Sequence, residues 1–382
     1  MDFSLTSEQE LLRKEIVAFS RGTLNAGVIE RDRDQVFSRE LWNACGGMGL
    51  PGLPVPEEYG GSGLDPLSCA IALEAFGYGC TDHGLVFSLC AHVMACVVPI
   101  CKFGTDEQKR QYLPGLSNGT LIGVNAMTEP ESGSDPFAMR ARAVRDGQGW
   151  RLTGAKTFIS NAPEAQVIVL FALTDPVKRF HGGITAFLLE RSTPGVSAGR
   201  KIEKMGLRTS PFGELVFEDV WVPDASVLGG VGAGAGVFTH SMDWERICLF
   251  AAHVGQMERL MERAIDYART REAGGKAIGK YQAVSHKIAD MKVRLEAARL
   301  LTYRAASRLD KTRGVSLDAA VAKLFVSEAL VATATDVMQI FGGYGYTAEY
   351  EVERAVRDAF GAKLYSGTSE VQRNIIAGWL GL

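Results

Sequence analysis

Five short segments combine small, hydroxyl, aromatic or charged residues in patterns that could hold a ligand. Residues 128–135 (TEPESGSD) offer hydroxyls and backbone amides at a turn, which can bind a phosphate or the edge of a flavin. Alone, that segment would be interpreted as a polar turn that caps the next strand. Residues 156–161 (KTFISN) place an aromatic ring beside a hydroxyl, and residues 271–276 (REAGGK) place a cation at a break between helices. Residues 339–345 (QIFGGYG) and 365–370 (YSGTSE) complete the set.

A glycine-rich segment, residues 232–236 (GAGAG), follows a strand and opens a helix, which superficially suggests a dinucleotide-binding turn. That interpretation requires a parallel strand after the helix, whereas the pattern stays helical to the end of the sequence. We therefore interpret the segment as a flexible joint between a β domain and a helical bundle.

Length and composition limit what these segments can belong to. The chain has 382 residues, of which 46% are hydrophobic and 22% charged, so it predicts two or three folded domains rather than a disordered chain. The net charge of −3 gives no reason to expect nucleic-acid binding through phosphate contacts. The sequence has no apolar run of about 18 residues without a charge or proline, and no basic start before an apolar stretch. We expect a cytoplasmic protein that does not bind a membrane.

The cysteines favour the same compartment. All but Cys248 of the seven cysteines fall between residues 45 and 101, in an apolar part of the sequence, and they form no CxxC pair. We interpret them as small buried hydrophobic residues in a reducing environment and predict no metal site.

The sequence changes its pattern twice. Residues 1–122 are predicted to be helical, starting with a capping box of Ser7 and Glu10. Residues 123–232 carry short alternating or β-branched runs, including a hairpin around residues 146–149. Residues 233–382 return to long amphipathic helices that form a bundle. The predicted fold class is therefore α+β, mainly α, with a β domain between two helical ones. Predicted strands are 167–173, 184–189 and 214–222; predicted helices are 241–269, 281–309 and 316–341.

The five segments, in this order on a helix–β–helix chain, resemble the acyl-CoA dehydrogenase family. The likeness runs from residues 3–6 (FSLT) to the final helix. It implies an N-terminal helical domain, a middle β domain (a barrel or sandwich) and a C-terminal four-helix bundle, usually assembled as a homotetramer. It also implies an FAD enzyme that removes hydrogens from the α and β carbons of an acyl thioester.

The resemblance assigns cofactor contacts position by position. The flavin ring would be lined by Asn125, Met127, Thr128, Phe158 and Ser160. Gly133 and Ser134 would lie near the pyrophosphate or the thioester, and Thr368 and Glu370 would close the site. Five further residues would reach FAD, the first two of them from a neighbouring subunit: Arg271, Gln282, Gln339, Gly342 and Gly343.

The family reaction needs a carboxylate that removes an acidified α-proton while hydride leaves the β-carbon for flavin N5. Burial raises the pKa of such a carboxyl and makes it a better base. Much of the family places this Glu before the Gly-Thr near the C-terminus, where this chain has Ser366. A minority carries it early in the first bundle helix, where this chain has Glu245 in an apolar stretch. We predict Glu245 as the base, with Arg246 and Ser366 supporting it; the alternative is that Glu245 only pairs with Arg246.

Two further positions carry expectations. Gly274 stands where the family has Phe in Arg-x-x-Phe-Gly, and the lost apolar contact predicts FAD that dissociates readily during purification. Glu353 and Asp358 are predicted to be ordinary solvated helix charges.

Four segments resemble most the branch that oxidises prolyl groups on carrier proteins: residues 74–82, 241–252, 282–286 and 365–369. That branch shares the early Glu and the Ser before Gly-Thr. It implies oxidation of a prolyl ring to a pyrrole thioester in secondary-metabolite biosynthesis, with the phosphopantetheine of the carrier protein entering the site. The alternatives are a short or branched acyl-CoA as substrate, or the same fold used as a flavin monooxygenase or as a scaffold. Either an electron-transfer flavoprotein or oxygen would accept the electrons.

Overall fold

The computed structural model describes residues 4–309, 311 and 314–382. The first three residues of the predicted N-terminal domain lie outside the described residues. The N-terminal part is helical, and the N-cap of its first helix, α1, lies one residue earlier than predicted. Thr6, not Ser7, is the N-cap, because its extended backbone lets it exchange hydrogen bonds with Gln9. The helices are α1 (Ser7–Phe19), α2 (Val28–Asp34), α3 (Arg39–Gly47), α4 (Pro66–Gly79), α5 (His83–His92), α6 (Val98–Phe103) and α7 (Asp106–Ser117).

The segment His83–Phe103 is apolar and long enough to cross a membrane by length and composition alone. It contains α5, a π-helical turn (Val93–Val97) and α6. Because 89% of its most apolar window is buried inside the protein, it is a core helix of this fold. None of the seven cysteines, all of which the structure describes, forms a disulfide, and all except the partly exposed Cys101 are buried, as the apolar sequence context predicts.

The middle part is an eight-stranded mixed sheet in the order β6-β7-β3-β2-β4-β5-β8, with β1 parallel to β4. A single residue pair, Arg142 with Leu173, joins its two halves, and a core cluster holds side chains from both. The halves therefore pack as a sandwich. The predicted hairpin at residues 146–149 is the β2–β3 turn. The strands are β1 (Gly123–Ala126), β2 (Arg142–Asp146), β3 (Gly149–Ser160), β4 (Val167–Leu173), β5 (Ile184–Glu190), β6 (Val196–Lys201), β7 (Phe212–Pro223) and β8 (Val227–Leu228).

The C-terminal part is again helical, and its first long helix is interrupted. The predicted helix 241–269 is α8, a π-helical turn (Glu245–Leu249) and α9, joined end to end. The glycine-rich segment before it is closely packed rather than a flexible joint, since a Cβ at Gly234 would lie 2.8 Å from the backbone of Ile184. A small hairpin, β9 (Glu272–Ala273) and β10 (Lys276–Ala277), follows α9. The helices are α8 (Gly234–Trp244), α9 (Phe250–Thr270), α10 (Gln282–Arg308), α11 (Val315–Phe341), α12 (Val352–Gly361) and α13 (Ser369–Trp379).

The two helical parts share one core. Helix α4 crosses α9 at backbone contact, because a Cβ at Gly77 would lie 1.9 Å from the carbonyl oxygen of Ala252. Gly255 makes the reciprocal approach to Glu74 on α4. One hydrophobic cluster accordingly runs from α1 and α4 through α9, α10 and α11. This packing fixes the start of α9, and therefore the π-helical turn, against the N-terminal helices.

Candidate active site

A cavity of about 640 Å³ lies between the β sandwich and the helices that precede and follow it. Its walls are largely apolar, with hydroxyl, amide and carboxylate groups at a few places. A cavity of this size and character is the usual form of a cofactor or small-molecule site. Most of the predicted site residues line it: Asn125, Met127, Thr128, Gly133, Ser134, Phe158, Ser160, Glu245, Arg246, Ser366 and Thr368.

The sheet wall of the cavity is held by a buried ion pair. The ammonium of Lys156 lies 2.8 Å from Glu129 and also donates to the carbonyl oxygen of Met127 at 2.9 Å. The Glu129 carboxylate accepts two more hydrogen bonds, from the backbone amides of Arg140 and Ala141. Burial alone would raise the pKa of Glu129, but Lys156 and these amides together hold it below its ordinary value. The pair ties the end of β1 to β3, which carries Phe158.

Phe158 presents a flat apolar surface to this cavity. Its backbone has φ +58°, a left-handed conformation that a bulky residue adopts only where the surrounding structure enforces it. The ring is 57% exposed and stacks on Phe212, with centroids 5.8 Å apart and planes 18° apart. The hydroxyl of Ser160 lines the same cavity two residues on. A planar ring system with polar edges could pack against the Phe158 ring and form a hydrogen bond with the Ser160 hydroxyl.

The helical wall carries Glu245 on the first residue of the π-helical turn. Such turns insert one extra residue into a helix and occur often at functional sites. Glu245 is only 9% exposed, and its Oε1 accepts a 2.5 Å hydrogen bond from the Ser366 hydroxyl. Burial raises the pKa of this carboxyl, while Ser366, Arg246 and Lys323 oppose the rise. The geometry provides an oriented carboxyl group of raised pKa facing an apolar cavity.

Arg246 holds the hydroxyl donor in place rather than pairing with Glu245. Its Nε donates to the carbonyl oxygen of Ser366 at 3.2 Å, and its Nη1 lies 3.6 Å from Asp243. The side chain of Gln372 donates to the same carbonyl oxygen at 3.0 Å. Ser366 has φ +56°, so this non-glycine residue is held in a left-handed conformation by its neighbours. The pairing of Glu245 with a cation alone, which the sequence left open, is not the arrangement found.

We expect Ser366→Ala to slow turnover about tenfold, because a hydrogen bond to a charged group contributes about 1.5 kcal/mol or more. Alanine keeps the backbone and removes only the donor, so the pKa of Glu245 should rise further. The measurement is the acidic limb of the pH profile together with FAD content. An unchanged limb would show that this hydrogen bond does not act on the base.

The remaining predicted site residues lie elsewhere in this chain. Arg271, Gly342 and Gly343 line a separate, more open depression of about 440 Å³, where the Arg271 guanidinium lies 5.3 Å from the Tyr344 ring centroid. The other three line neither cavity: Gln282, Gln339 and Glu370. The described residues of one chain therefore do not bring the two groups together. The roles of Arg271 and Gln282 at the FAD of a neighbouring subunit, and of Glu370 beside Thr368, stay predictions.

Sequence reasoning missed several polar residues of the cavity. Asp358 is only 4% exposed and accepts a hydrogen bond from the backbone amide of Leu207, so the prediction of a solvated charge is wrong for it. Burial raises its pKa to about 6. Tyr365 also lines the cavity and is hydrogen-bonded to His253, and Lys204 donates to the carbonyl oxygen of Ser210. Only the spacing of Asp358 from Arg354, which places both on one side of α12, could have indicated burial.

A neighbouring side chain, that of Tyr281, lies beside Gly274, which the sequence did not indicate. Gly274 has φ +58°, and a Cβ there would lie 2.6 Å from the Tyr281 hydroxyl. That hydroxyl donates to the carbonyl oxygen of Ala273 and closes the β9–β10 hairpin. Tyr281 therefore occupies the space beside the turn, and a Phe at position 274 would be strained as well as crowded.

Similarity to known proteins extends over the whole chain. Sequence profiles of the acyl-CoA dehydrogenase N-terminal, middle and C-terminal domains match residues 6–120, 125–220 and 232–381. An L-prolyl-(peptidyl-carrier protein) dehydrogenase of Pseudomonas fluorescens is 45% identical over 99% of both chains. A short-chain specific acyl-CoA dehydrogenase of Megasphaera elsdenii is 40% identical over 100% of both. A solved structure described as "PigA with FAD and proline" matches with a TM-score of 0.97 and 41% identity over 100% of both chains.

Proposed function

The chain belongs to the acyl-CoA dehydrogenase family and is an FAD-dependent dehydrogenase, and we propose that it oxidises an L-prolyl thioester on a carrier protein. The observation that carries the proposal is Glu245 held by Ser366 on the cavity wall. The first bundle helix supplies the carboxylate, and a serine fills the position before Gly-Thr, as the prolyl branch is expected to have it. The similarity to a prolyl-carrier-protein dehydrogenase over the full length supports the same substrate.

The residues of the cavity fit the isoalloxazine part of FAD. The stacked pair Phe158–Phe212 offers a flat apolar face, and the hydroxyls of Thr128 and Ser160 line the same space. At Gly133 a Cβ would meet nothing within 4 Å, so the backbone of that turn is open to a ligand. FAD, when bound, supplies a two-electron acceptor for hydride.

Glu245 performs the proton half of the reaction in this proposal. The thioester carbonyl acidifies the α-hydrogen of the prolyl ring, and the carboxylate takes that proton as the β-hydrogen leaves as hydride. Burial keeps water away from the carboxylate and makes it more basic, and the Ser366 hydroxyl fixes one oxygen so that the other can face the substrate. Arg246 and Gln372 act only by holding Ser366.

Two such cycles would convert the prolyl ring to a pyrrole ring. Each removes one proton and one hydride, so the acyl group loses four hydrogens and four electrons in total. Apolar residues supply much of the cavity lining, and we expect the ring to lie against some of them: Phe87, Ala91, Ala95, Phe238 and Met242. The phosphopantetheine arm would extend from the ring toward solvent.

A short-chain acyl-CoA is the second candidate substrate. The Megasphaera elsdenii enzyme is only a few per cent less similar than the prolyl enzyme, and the same arm joins the acyl group to CoA and to carrier proteins. The base, the cofactor and the first cycle would be unchanged. The ring oxidation would not occur, because a linear acyl group stops after one cycle.

The product decides between these substrates. L-prolyl carrier protein, incubated with the FAD enzyme and a chemical electron acceptor, should lose four hydrogens by intact-protein mass spectrometry, through an intermediate that has lost two. Butyryl-CoA under the same conditions should lose none. Oxidation of butyryl-CoA with an unchanged prolyl carrier protein would establish the second candidate instead. Omitting the chemical acceptor, in air and then with an electron-transfer flavoprotein, identifies the natural acceptor.

Assembly and cofactor retention are linked in this proposal. If Arg271 and Gln282 reach the FAD of a neighbouring subunit, the cytoplasmic enzyme is an oligomer, expected to be a homotetramer. Because Gly274 contributes no ring to that contact, we expect purified protein to lose FAD on dialysis and to regain it on addition of the cofactor. Flavin absorbance per chain measures this. Full FAD occupancy after exhaustive dialysis would contradict the expectation.

A further inference from the structure

Glu245 and His253 lie on one continuous helix and hold two consecutive residues of another segment. Glu245 accepts a hydrogen bond from the Ser366 hydroxyl, and Nε2 of His253 lies 2.5 Å from the Tyr365 hydroxyl. Two turns of a regular α-helix take about 7 residues, and the π-helical turn takes up one more, so Glu245 and His253 lie on the same face about 11 Å apart. Residues 365 and 366 are therefore attached to this helix at two points.

His253 is a polar residue in apolar surroundings. It is 3% exposed, and its ring lies against those of Phe250 and Tyr365, with centroids 5.2 and 6.1 Å away. Its other ring nitrogen, Nδ1, has no hydrogen-bond partner among the described residues. Burial lowers the pKa of His253 to about 4, so the ring is neutral near pH 7. An unsatisfied buried nitrogen costs free energy that an apolar side chain would not, so the contact with Tyr365 calls for a role.

The ring of Tyr365 is enclosed as well as hydrogen-bonded. The Phe87 ring on α5 lies 4.7 Å from it and the Phe250 ring 5.8 Å, measured between centroids. Gly361 on α12 leaves space for it, since a Cβ there would lie 3.2 Å from the Tyr365 ring. Few rotatable bonds join a tyrosine ring to its backbone, so a contact that fixes the hydroxyl also restrains the backbone at residue 365.

Ser366 needs such restraint on both sides. Its φ is +56°, and that of the next residue, Gly367, is +85°. A serine keeps a left-handed conformation only where its neighbours hold it. Arg246 and Gln372 hold its carbonyl oxygen. On its amide side the chain continues directly into Tyr365, whose hydroxyl is held by the helix.

We propose that His253 is a positioning residue for the base: its hydrogen bond with Tyr365 keeps residues 365 and 366 in the conformation that directs the Ser366 hydroxyl at Glu245. His253 does not line the cavity, so it acts through Tyr365 and Ser366 rather than on the substrate. The inference rests on the proposed function only for the identity of the base.

The ionisation of Glu245 reports on this contact. Burial raises the pKa of Glu245, and the Ser366 hydrogen bond is the largest influence against that rise, ahead of Arg246 and of Lys323 on α11. Two neutral groups also face the carboxyl, Tyr365 and the Cys90 thiol on α5, and burial raises the pKa of both. A weaker contact with Ser366 therefore raises the pKa of Glu245 and moves its protonation to higher pH.

The test is an infrared titration of Glu245 in the FAD-loaded protein. The carboxylic-acid band that Glu245→Gln abolishes reports its protonation without any substrate. Tyr365→Phe and His253→Phe each remove the hydrogen bond and keep an aromatic ring. We expect each to raise the midpoint by about 0.5–1 pH unit, a threefold to tenfold change in the protonation equilibrium. Tyr78→Phe, which removes a hydrogen bond to Glu262 on the surface, is the matched control and should leave the midpoint unchanged.

The route through Ser366 is tested in the Ser366→Ala protein. There Tyr365→Phe should cause no further shift, because the contact on which it acts is already absent. An additional shift of the same size would overturn the proposal, since the effect would then not pass through Ser366. A wild-type midpoint in Tyr365→Phe would overturn it as well, even if His253→Phe does not fold.

Failure of this inference and failure of the proposed function are distinguishable, because the infrared shift needs no turnover. The expected shifts in a protein whose flavin no prolyl carrier protein reduces would leave this inference standing and refute the proposed substrate.

Discussion

Glu245→Gln should lower the rate of flavin reduction by the acyl thioester about 10²–10⁴-fold, the usual contribution of a positioned general base. Glutamine has the same shape and can still accept the hydrogen bond from Ser366, so neither folding nor FAD binding should change. The lost function is the uptake of the α-proton, without which the β-hydride does not leave. Stopped-flow absorbance under anaerobic conditions measures the rate directly.

Glu262→Gln is the control for that variant. Glu262 lies on α9 and accepts a hydrogen bond from Tyr78 on the protein surface, so the same chemical change is made away from the cavity. Its rate should equal that of the wild type. A Glu245→Gln protein with bound FAD and a wild-type rate would show that Glu245 is not the base.

Lys156→Met should lower the free energy of unfolding by about 3–5 kcal/mol, the cost of leaving one partner of a buried ion pair without its counter-charge. Glu129 would keep its two backbone donors but lose the ammonium. The same change should release FAD, because Met127 and the strand that carries Phe158 lose their common anchor. Chemical denaturation and flavin absorbance measure the two effects.

The double variant Lys156→Met/Glu129→Gln separates charge from packing. It removes the uncompensated carboxylate and keeps most of the buried volume, so it should recover part of the lost stability. Lys292→Met, which breaks an exposed pair with Glu296, should cost less than about 1 kcal/mol. A double variant no more stable than Lys156→Met would mean that the lost packing around Lys156, not the charge, causes the effect.

The long helices and strands could be predicted because their periodicity is strong over many residues. The predicted strand 167–173 is β4 itself, and the predicted helix 281–309 differs from α10 by one residue at each end. Shorter or irregular elements could not be predicted from the sequence. Strand β1 has four residues, too few for an alternation to be recognised, and the π-helical turn at Glu245 leaves no mark in a pattern of apolar residues. The N-cap of α1 was predicted one residue too late because Thr6 and Ser7 are equally good N-caps.

Site residues could be predicted where a motif marks them. They could not be predicted where their role depends on burial in the folded protein. Glu245 and Ser366 stand out by residue type, but their hydrogen bond joins residues far apart in sequence. The Lys156–Glu129 pair and Lys323, whose ammonium has no hydrogen-bond acceptor among the described residues, look like ordinary surface charges in the sequence, and only tertiary packing buries them. Asp358 was misjudged for the same reason. Six predicted cofactor contacts do not line the main cavity of the single chain, and their roles, including those of Arg271 and Gln282 at a neighbouring subunit, stay predictions: Arg271, Gln282, Gln339, Gly342, Gly343 and Glu370.

Anaerobic flavin bleaching measures directly whether this cavity oxidises a prolyl thioester with Glu245 as base. The FAD-loaded protein is mixed, without any electron acceptor, with L-prolyl carrier protein or with a panel of short and branched acyl-CoAs. We expect rapid loss of oxidised-flavin absorbance with the prolyl carrier protein, little with the acyl-CoAs, and none on this timescale with Glu245→Gln. Bound flavin that stays oxidised with the prolyl carrier protein would contradict this expectation.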